Sequence, residues 1–146
     1  MAQVTIIDSG GANIASLQFA LQRLGASSEL TADPAKIRVA EHVILPGVGA
    51  AADGMARLRQ AGLDTVIPAL QQPLLGICLG MQLLYDASDE DDAECLSIIP
   101  GRARQFQAAP DRPVPQMFKT CNCQKFFHYF NKIAKAIVSQ PNFDPI

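Results

Sequence analysis

A single cysteine, Cys78, lies between two glycines in Gly76-Ile77-Cys78-Leu79-Gly80-Met81-Gln82. An apolar run, Pro73-Leu74-Leu75, leads into it, and a helix-forming run, Leu79 to Tyr85, leads out. That order reads as strand, sharp turn and helix, with the thiol at the apex, the arrangement of a nucleophile elbow. A cysteine held there is exposed, and the orphan N–H groups and positive end of the following helix favour its thiolate. The glycines are expected to supply the unusual φ/ψ of a tight turn and room for a substrate. The competing reading is a small buried hydrophobe, and the flanking glycines weigh against it. A disulfide or redox role would need a resolving thiol close by, and no neighbouring residue supplies one.

The elements that must hold this thiol alternate between strand and helix. Gln3 to Asp8 is a short apolar run suited to a buried parallel strand. Asn13 can cap a helix in which Ile14, Leu17, Leu21 and Leu24 recur at helical spacing, with Gly25 ending it. Ser28 to Thr31 reads as a weak strand, and Asp33-Pro34 opens a short helix with proline at its first position. His42 to Leu45 is a strong buried strand; Ala50 to Gln60 and Leu63 to Gln71 read as helices; Leu74 to Ile77 delivers Cys78. Repeated βα units imply a parallel sheet covered on both faces, with the ligand beyond the carboxyl ends of the strands. The Asp8 to Asn13 loop, the Pro46 to Gly49 loop and Cys78 all follow strand ends, so all three are expected to converge on one site.

The chain has 146 residues, one domain's length. Almost half of them (49%) are hydrophobic, enough for a globular core, and a net charge of −2 gives no electrostatic case for nucleic acid or an anionic membrane. No apolar run is long enough to span a bilayer, and the N-terminus reads directly into a strand, so neither a transmembrane helix nor a signal peptide is expected. Four cysteines, Cys78, Cys95 and the neighbouring Cys121 and Cys123, fit a reducing, cytoplasmic setting better than a disulfide framework. The acidic run Asp89-Glu90-Asp91-Asp92-Ala93-Glu94 lacks the glycine and ligand spacing of a calcium loop and reads as a solvated connection between helix and strand.

Four segments, in this order and spacing, carry a family resemblance: Ile6-Ile7-Asp8-Ser9-Gly10-Gly11-Ala12-Asn13; Pro46-Gly47-Val48-Gly49; Gly76 to Gln82; and Ile99-Pro100-Gly101-Arg102 through Phe106, continuing to Pro113-Val114-Pro115-Gln116-Met117. They resemble the class I (triad) glutamine amidotransferases and, within that class, the glutaminase subunits of imidazole glycerol phosphate synthase. Another class I amidotransferase is the rival, but anthranilate synthase relatives would show a second proline in the oxyanion loop and a histidine where Met81 stands. The resemblance covers residues 1–117. It implies a three-layer, flavodoxin-like α/β domain, here its N-terminal two thirds. It implies hydrolysis of L-glutamine to glutamate and ammonia, delivered to a (β/α)8 cyclase subunit in histidine biosynthesis, with no cofactor or metal.

In that chemistry Cys78 attacks the side-chain carbonyl to give a glutamyl thioester. The backbone N–H of Leu79 and that of Gly49 or Val48 are the candidate oxyanion donors, with Gly47 and Gly49 letting the loop approach the substrate. Gln82, one turn beyond Cys78, is implied by the resemblance to face the substrate amino acid. The family draws its base and orienting acid from a His-Pro-Glu segment, and this sequence has none. His42 opens the strand that ends at Pro46, roughly 13 Å from the loop, so it is expected to lie at the wrong edge of the sheet. His128, in Phe126-Phe127-His128-Tyr129-Phe130, has no proline after it and no acid nearby. A catalytically silent domain is therefore the alternative.

After Met117 the composition changes. Residues 1–117 hold eight basic and thirteen acidic side chains, whereas 118–146 hold four lysines, no arginine and one acid, Asp144. Phe126, Phe130, Ile133 and Ile137 form an amphipathic helical stripe in this segment. Cys121-Asn122-Cys123 has one intervening residue and no second pair, poor spacing for a metal site. Residues 118–146 thus read as a tail foreign to the family, expected from a frameshift, a truncation with read-through or a gene-model error. Sequencing the coding region across codon 117 should reveal such a break, and a sound frame with an expressed tail would reject it.

Overall fold

Alternation along the first strand decides which face of the sheet each side chain takes. In β1 (Gln3–Ile7), Val4 and Ile6 pack to one side and Ile7 to the other, all buried. The computed structural model describes residues 3–10, 13–105 and 118–120. Strand β1 pairs in parallel with β2 (Ser27–Thr31) and β3 (His42–Gly47), and β3 with β4 (Leu74–Cys78), in the order β2-β1-β3-β4. This is the order of the first four strands of a flavodoxin-like sheet.

Helix α1 (Ile14–Arg23) covers one face, where Leu21, Ile14 and Leu17 meet Val4, Ile6 and Ile44. The opposite face is covered by α2 (Pro34–Val39), α3 (Ala51–Gln60), α4 (Leu63–Val66) and α5 (Leu79–Gln82), whose Ile37, Met55, Leu58, Leu63, Val66 and Leu79 pack on Ile7, Val43 and Leu45. The expected three-layer α/β architecture is thus present. Its cap signals hold as well. Asn13 Oδ1 accepts from the Ser16 amide (3.4 Å), Asp33 Oδ1 accepts from the Ala35 amide (2.8 Å) ahead of Pro34, and Gly25 takes φ +71° after α1.

Two helices are shorter than their sequence patterns predict. The Leu63 to Gln71 run divides into α4 and a 3-10 turn, Ile67–Ala69, because Pro68 brings no N–H for an α-helical bond. The Leu79 to Tyr85 run stops at Gln82, and Tyr85 opens a strand. The reason is tertiary: the Leu83 carbonyl accepts from Leu96 N–H (2.9 Å), Leu84 from Ile98 (2.9 Å) and Ile99 (2.8 Å), and Tyr85 from Ser97 (2.9 Å). Those acceptors are consumed by residues 96–99, the segment that leads into a second, mixed sheet. That sheet comprises β5 (Tyr85–Ser88), β6 (Ala93–Glu94), β7 (Ile99–Gln105) and β8 (Phe118–Thr120), ordered β6-β5-β7-β8. The first residues of the expected tail are therefore a strand beside β7, while the Phe126 to Ile137 stripe, Cys121, Cys123 and His128 lie outside the described residues.

The tightest contact in the main sheet is between α5 and β3. A Cβ added to Gly80 would sit 1.9 Å from the Leu45 carbonyl oxygen, which is backbone and cannot step aside. Gly80→Ala should therefore cost at least the roughly 3 kcal/mol that marks the upper end of overpacking effects, read from urea denaturation. A loss below about 1 kcal/mol would mean that α5 can lift off the sheet freely.

Candidate active site

Cys78 ends β4 and precedes the single turn of α5 with φ 56° and ψ −119°. A non-glycine residue there carries about 1–3 kcal/mol of backbone strain, which the surrounding packing must sustain. The sequence assigned the unusual conformation to the flanking glycines; the structure assigns it to the cysteine. The glycines instead permit close approach. A Cβ on Gly76 would lie 2.6 Å from Met81 Cα, and that on Gly80 would strike Leu45. The expected helix-dipole assistance is also reduced, because α5 is four residues long and has little macrodipole. What remains is local: Leu79 is the first residue of α5, so its N–H has no intrahelical acceptor, and the Cys78 side chain is exposed beside it.

The Pro46 to Gly49 loop meets this turn directly. Gly47 is the register partner of Cys78 across β3 and β4, and a Cβ on Gly47 would lie 2.9 Å from the Gly80 nitrogen. Gly49 takes φ +91°, and Val48 is 42% exposed. The loop is anchored by residues whose roles sequence reasoning missed. Buried Ser9 donates its hydroxyl to the Pro46 carbonyl (2.7 Å). Arg57, from the last turn of α3, donates Nε to the Ser9 carbonyl (2.7 Å) and Nη2 to the Val48 carbonyl (3.3 Å). Behind the loop, Glu90 Oε2 accepts from the amide of Ala51, the first residue of α3 (3.1 Å). Ser9 was visible only as part of a motif, and Arg57 looked like any basic residue near a helix C-terminus.

Glu90 corrects the reading of the acidic run. The run joins two strands, β5 and β6, through a 3-10 turn at Glu90–Asp92, and it is tied to Arg102 of β7. Arg102 donates to the carboxylates of Asp89 and Asp92 and to the Ser88 carbonyl, and the Glu90 amide donates to Ser88 Oγ (3.1 Å). Hydrogen bonds that the guanidinium donates to Asp89 and Asp92 push the Arg102 pKa up from an already high value. Among the described residues, no group of histidine, cysteine and carboxylate side chains is arranged to hold a metal ion. No helix among them is long and apolar enough to cross a membrane.

A cavity of about 370 Å³ opens beside Cys78, lined by Asn13, Ser16, Leu17, Pro46, Gly47, Val48 and Ile77. The three strand-end loops therefore converge as expected. Gln82 is not part of this lining; its side-chain oxygen is buried and has no hydrogen-bond partner among the described residues. His42 opens β3 as expected and lines a separate, apolar cavity of about 170 Å³ under α1, with Nδ1 buried and unpartnered among those residues. Its register neighbour is Val4, at the opposite end of the sheet from Cys78.

The model of the family described as glutamine amidotransferase class-I matches residues 5–136. An imidazole glycerol phosphate synthase subunit HisH from Xylella fastidiosa (strain 9a5c) is 50% identical over 117 residues, 80% of this chain and 58% of the relative. Subunit HisH 2 from Legionella pneumophila (strain Lens) is 54% identical over 114 residues, 78% of this chain and 57% of the relative. The chain thus spans a little under three fifths of the length of these curated relatives. In fold, it resembles a crystal structure of a glutamine amidotransferase, with a TM-score of 0.60 and 18% identity over 70% of this chain and 56% of that one.

The two described cysteines differ in a way that labelling can read. Burial pushes the Cys95 thiol pKa up, against the pull of Arg59 and Arg102, whereas Cys78 is exposed. Iodoacetamide at neutral pH should modify Cys78 at least about tenfold faster than Cys95, as followed by peptide mass mapping; comparable rates would mean that the turn does not present the thiol.

Proposed function

Because the chain belongs to the class I glutamine amidotransferase family, we propose that it carries the nucleophile and oxyanion loop of a glutaminase that supplies ammonia to the (β/α)8 cyclase subunit of imidazole glycerol phosphate synthase. One observation carries this reading: an exposed, backbone-strained Cys78 in register with Gly47 of a glycine loop whose carbonyls are held by Ser9 and Arg57. The identity to HisH subunits supports that particular substrate and partner over another class I enzyme.

In the proposed reaction the Cys78 sulfur attacks the glutamine side-chain carbon, and an S–C bond forms as the carbonyl becomes an oxyanion. Leu79 N–H and an amide of the Val48–Gly49 segment receive that charge. Such donors are fixed before the charge develops, and losing one costs about 10²–10³ in rate. For the C–N bond to break, the proton lost by the thiol must be delivered to the leaving nitrogen by a general acid that the described residues do not place beside Cys78; ammonia then leaves, and water hydrolyses the thioester to glutamate and the free thiol. A substrate-facing role for Gln82 rests on the family resemblance alone, since its buried side-chain oxygen lies outside the lining of the cavity beside Cys78.

The second reading, a silent domain, is favoured by the histidines. The sequence has no His-Pro-Glu, and His42 stands at the far end of the sheet. Glutamate release from glutamine by this chain, with the cyclase subunit and its nucleotide ligand present, separates the two. The glutaminase reading expects turnover that falls by at least about 10³-fold in Cys78→Ala. A chain that is folded and docked yet releases no glutamate is the silent domain.

A further inference from the structure

Helices cover the two faces of the main sheet unequally, with α2 to α5 on one and α1 alone on the other. What α1 leaves open is a single trough along β4. Its lower part is the cavity of about 170 Å³, between Leu24, Leu21 and Leu17 of α1, the start of β3 and Leu75 of β4. Its upper part is the cavity of about 370 Å³, between Leu17 and Asn13, the end of β3 and Ile77. Leu17 lines both, and Leu75 and Ile77, two residues apart on a strand, share one face. From His42 to Val48 the trough is roughly 20 Å long, the length of a helix of about 13 residues.

The borders of the trough say what fits it. Among the described residues β4 has no strand on its outer edge, the place of the fifth strand in a flavodoxin-like sheet. The free N–H and C=O groups of such an edge are a template for an added strand. The walls are apolar and still open to solvent, Leu24 being 46% and Ile77 37% exposed, which suits the apolar face of a helix rather than a charged ligand. At the lower end His42 Nδ1 is buried without a partner among the described residues. A stranded polar group costs about 1–3 kcal/mol, so the occupant is expected to bring a hydrogen-bonding group there. The upper end opens on Cys78, where the proton donor that the elbow lacks must enter.

We propose that the outer edge of β4 and the trough beside it are a docking surface for a segment of a separate polypeptide, which adds a strand to β4 and lays the apolar face of a helix between α1 and β4. The partner that fits is the part of a HisH-type chain that this one does not match. The match takes in 58% of the Xylella fastidiosa relative, and the rest lies outside it. A strand and a helix of the required lengths need roughly 25 residues, well within that remainder. Docking goes beyond the glutaminase reading and does not require it. A docked pair that releases no glutamate counts against that reading and leaves the role of the trough standing.

The test co-expresses the full 146-residue chain, tagged, with the unmatched part of the Xylella fastidiosa relative and measures how much of that part the tag retains. A one-to-one complex is expected, with hydrogen exchange at the outer-edge amides of β4 slowed at least about tenfold. Leu24→Glu and Ile77→Glu, at the two ends of the trough, should each lower the retained amount at least about tenfold. Val39→Glu, 82% exposed at the end of α2 on the other face, should leave it within about twofold. Far-UV circular dichroism identifies any variant that fails to fold, and the remaining ones decide. No complex, retention that persists in the folded trough variants, or an equal loss in Val39→Glu overturns the proposal. Slow exchange at the same amides in the chain alone assigns the trough to a segment of this chain or, where sedimentation shows a doubled mass, to a second copy, and either result overturns it as well.

Discussion

The close approach of α5 to the backbone of β3 is the constraint on which the site depends. With Gly80 pressed against the Leu45 carbonyl and Gly76 against Met81, the chain must reverse within one residue at the end of β4. Cys78 is that residue, and its φ of 56° is the result. The strain, about 1–3 kcal/mol, is sustained because Leu79 and Leu83 are buried in the core shared by α3, α4 and the sheet. Burying a leucine side chain contributes roughly 1.5–3 kcal/mol, so two of them outweigh the outlier. Relaxing Cys78 to an ordinary conformation would require pulling both leucines out.

The same packing explains why the oxyanion loop is stiff although it holds two glycines. The Pro46 carbonyl is bonded by Ser9 and the Val48 carbonyl by Arg57 of α3, and the helix that follows is capped at Ala51 by Glu90 from the turn between β5 and β6. The Ser9 to Pro46 bond is buried, so breaking it would strand a polar group at about 1–3 kcal/mol. The Arg102 pairs with Asp89 and Asp92 are exposed and contribute little by themselves. Their effect is geometric: they shape the turn that brings Glu90 to α3.

Local chemistry was legible from sequence and long-range chemistry was not. The caps at Asn13 and Asp33 depend on residues within a few positions of each other, and each appears as the pattern implied. Helix α5 ends early because carbonyls of Leu83, Leu84 and Tyr85 are claimed by residues 96–99, a competition that periodicity does not register. Arg57 reaches a carbonyl 48 positions away, and Glu90 an amide 39 positions away. Both pairings exist only once the strands are in register. The three loops could be placed at one edge of the sheet from topology alone, but not the bonds that orient them.

The site therefore divides its labour physically. The proposed nucleophile and oxyanion donors lie on one packed unit of β3, β4, α3 and α5, whereas the proposed proton transfer requires a group that the described residues of this unit do not contain, His42 being at its far end. That division has a chemical consequence. A thiolate backed by fixed amides can expel a stable phenolate unaided, because the leaving group carries its own charge away. Ammonia cannot leave as an amide anion; it requires a proton delivered as the C–N bond breaks. Reactivity toward an activated ester thus measures what the elbow and the loop accomplish, and the further step to glutamine measures the base. A chain that acylates readily yet leaves glutamine intact would have its electrostatic preorganisation in place and lack only the proton donor.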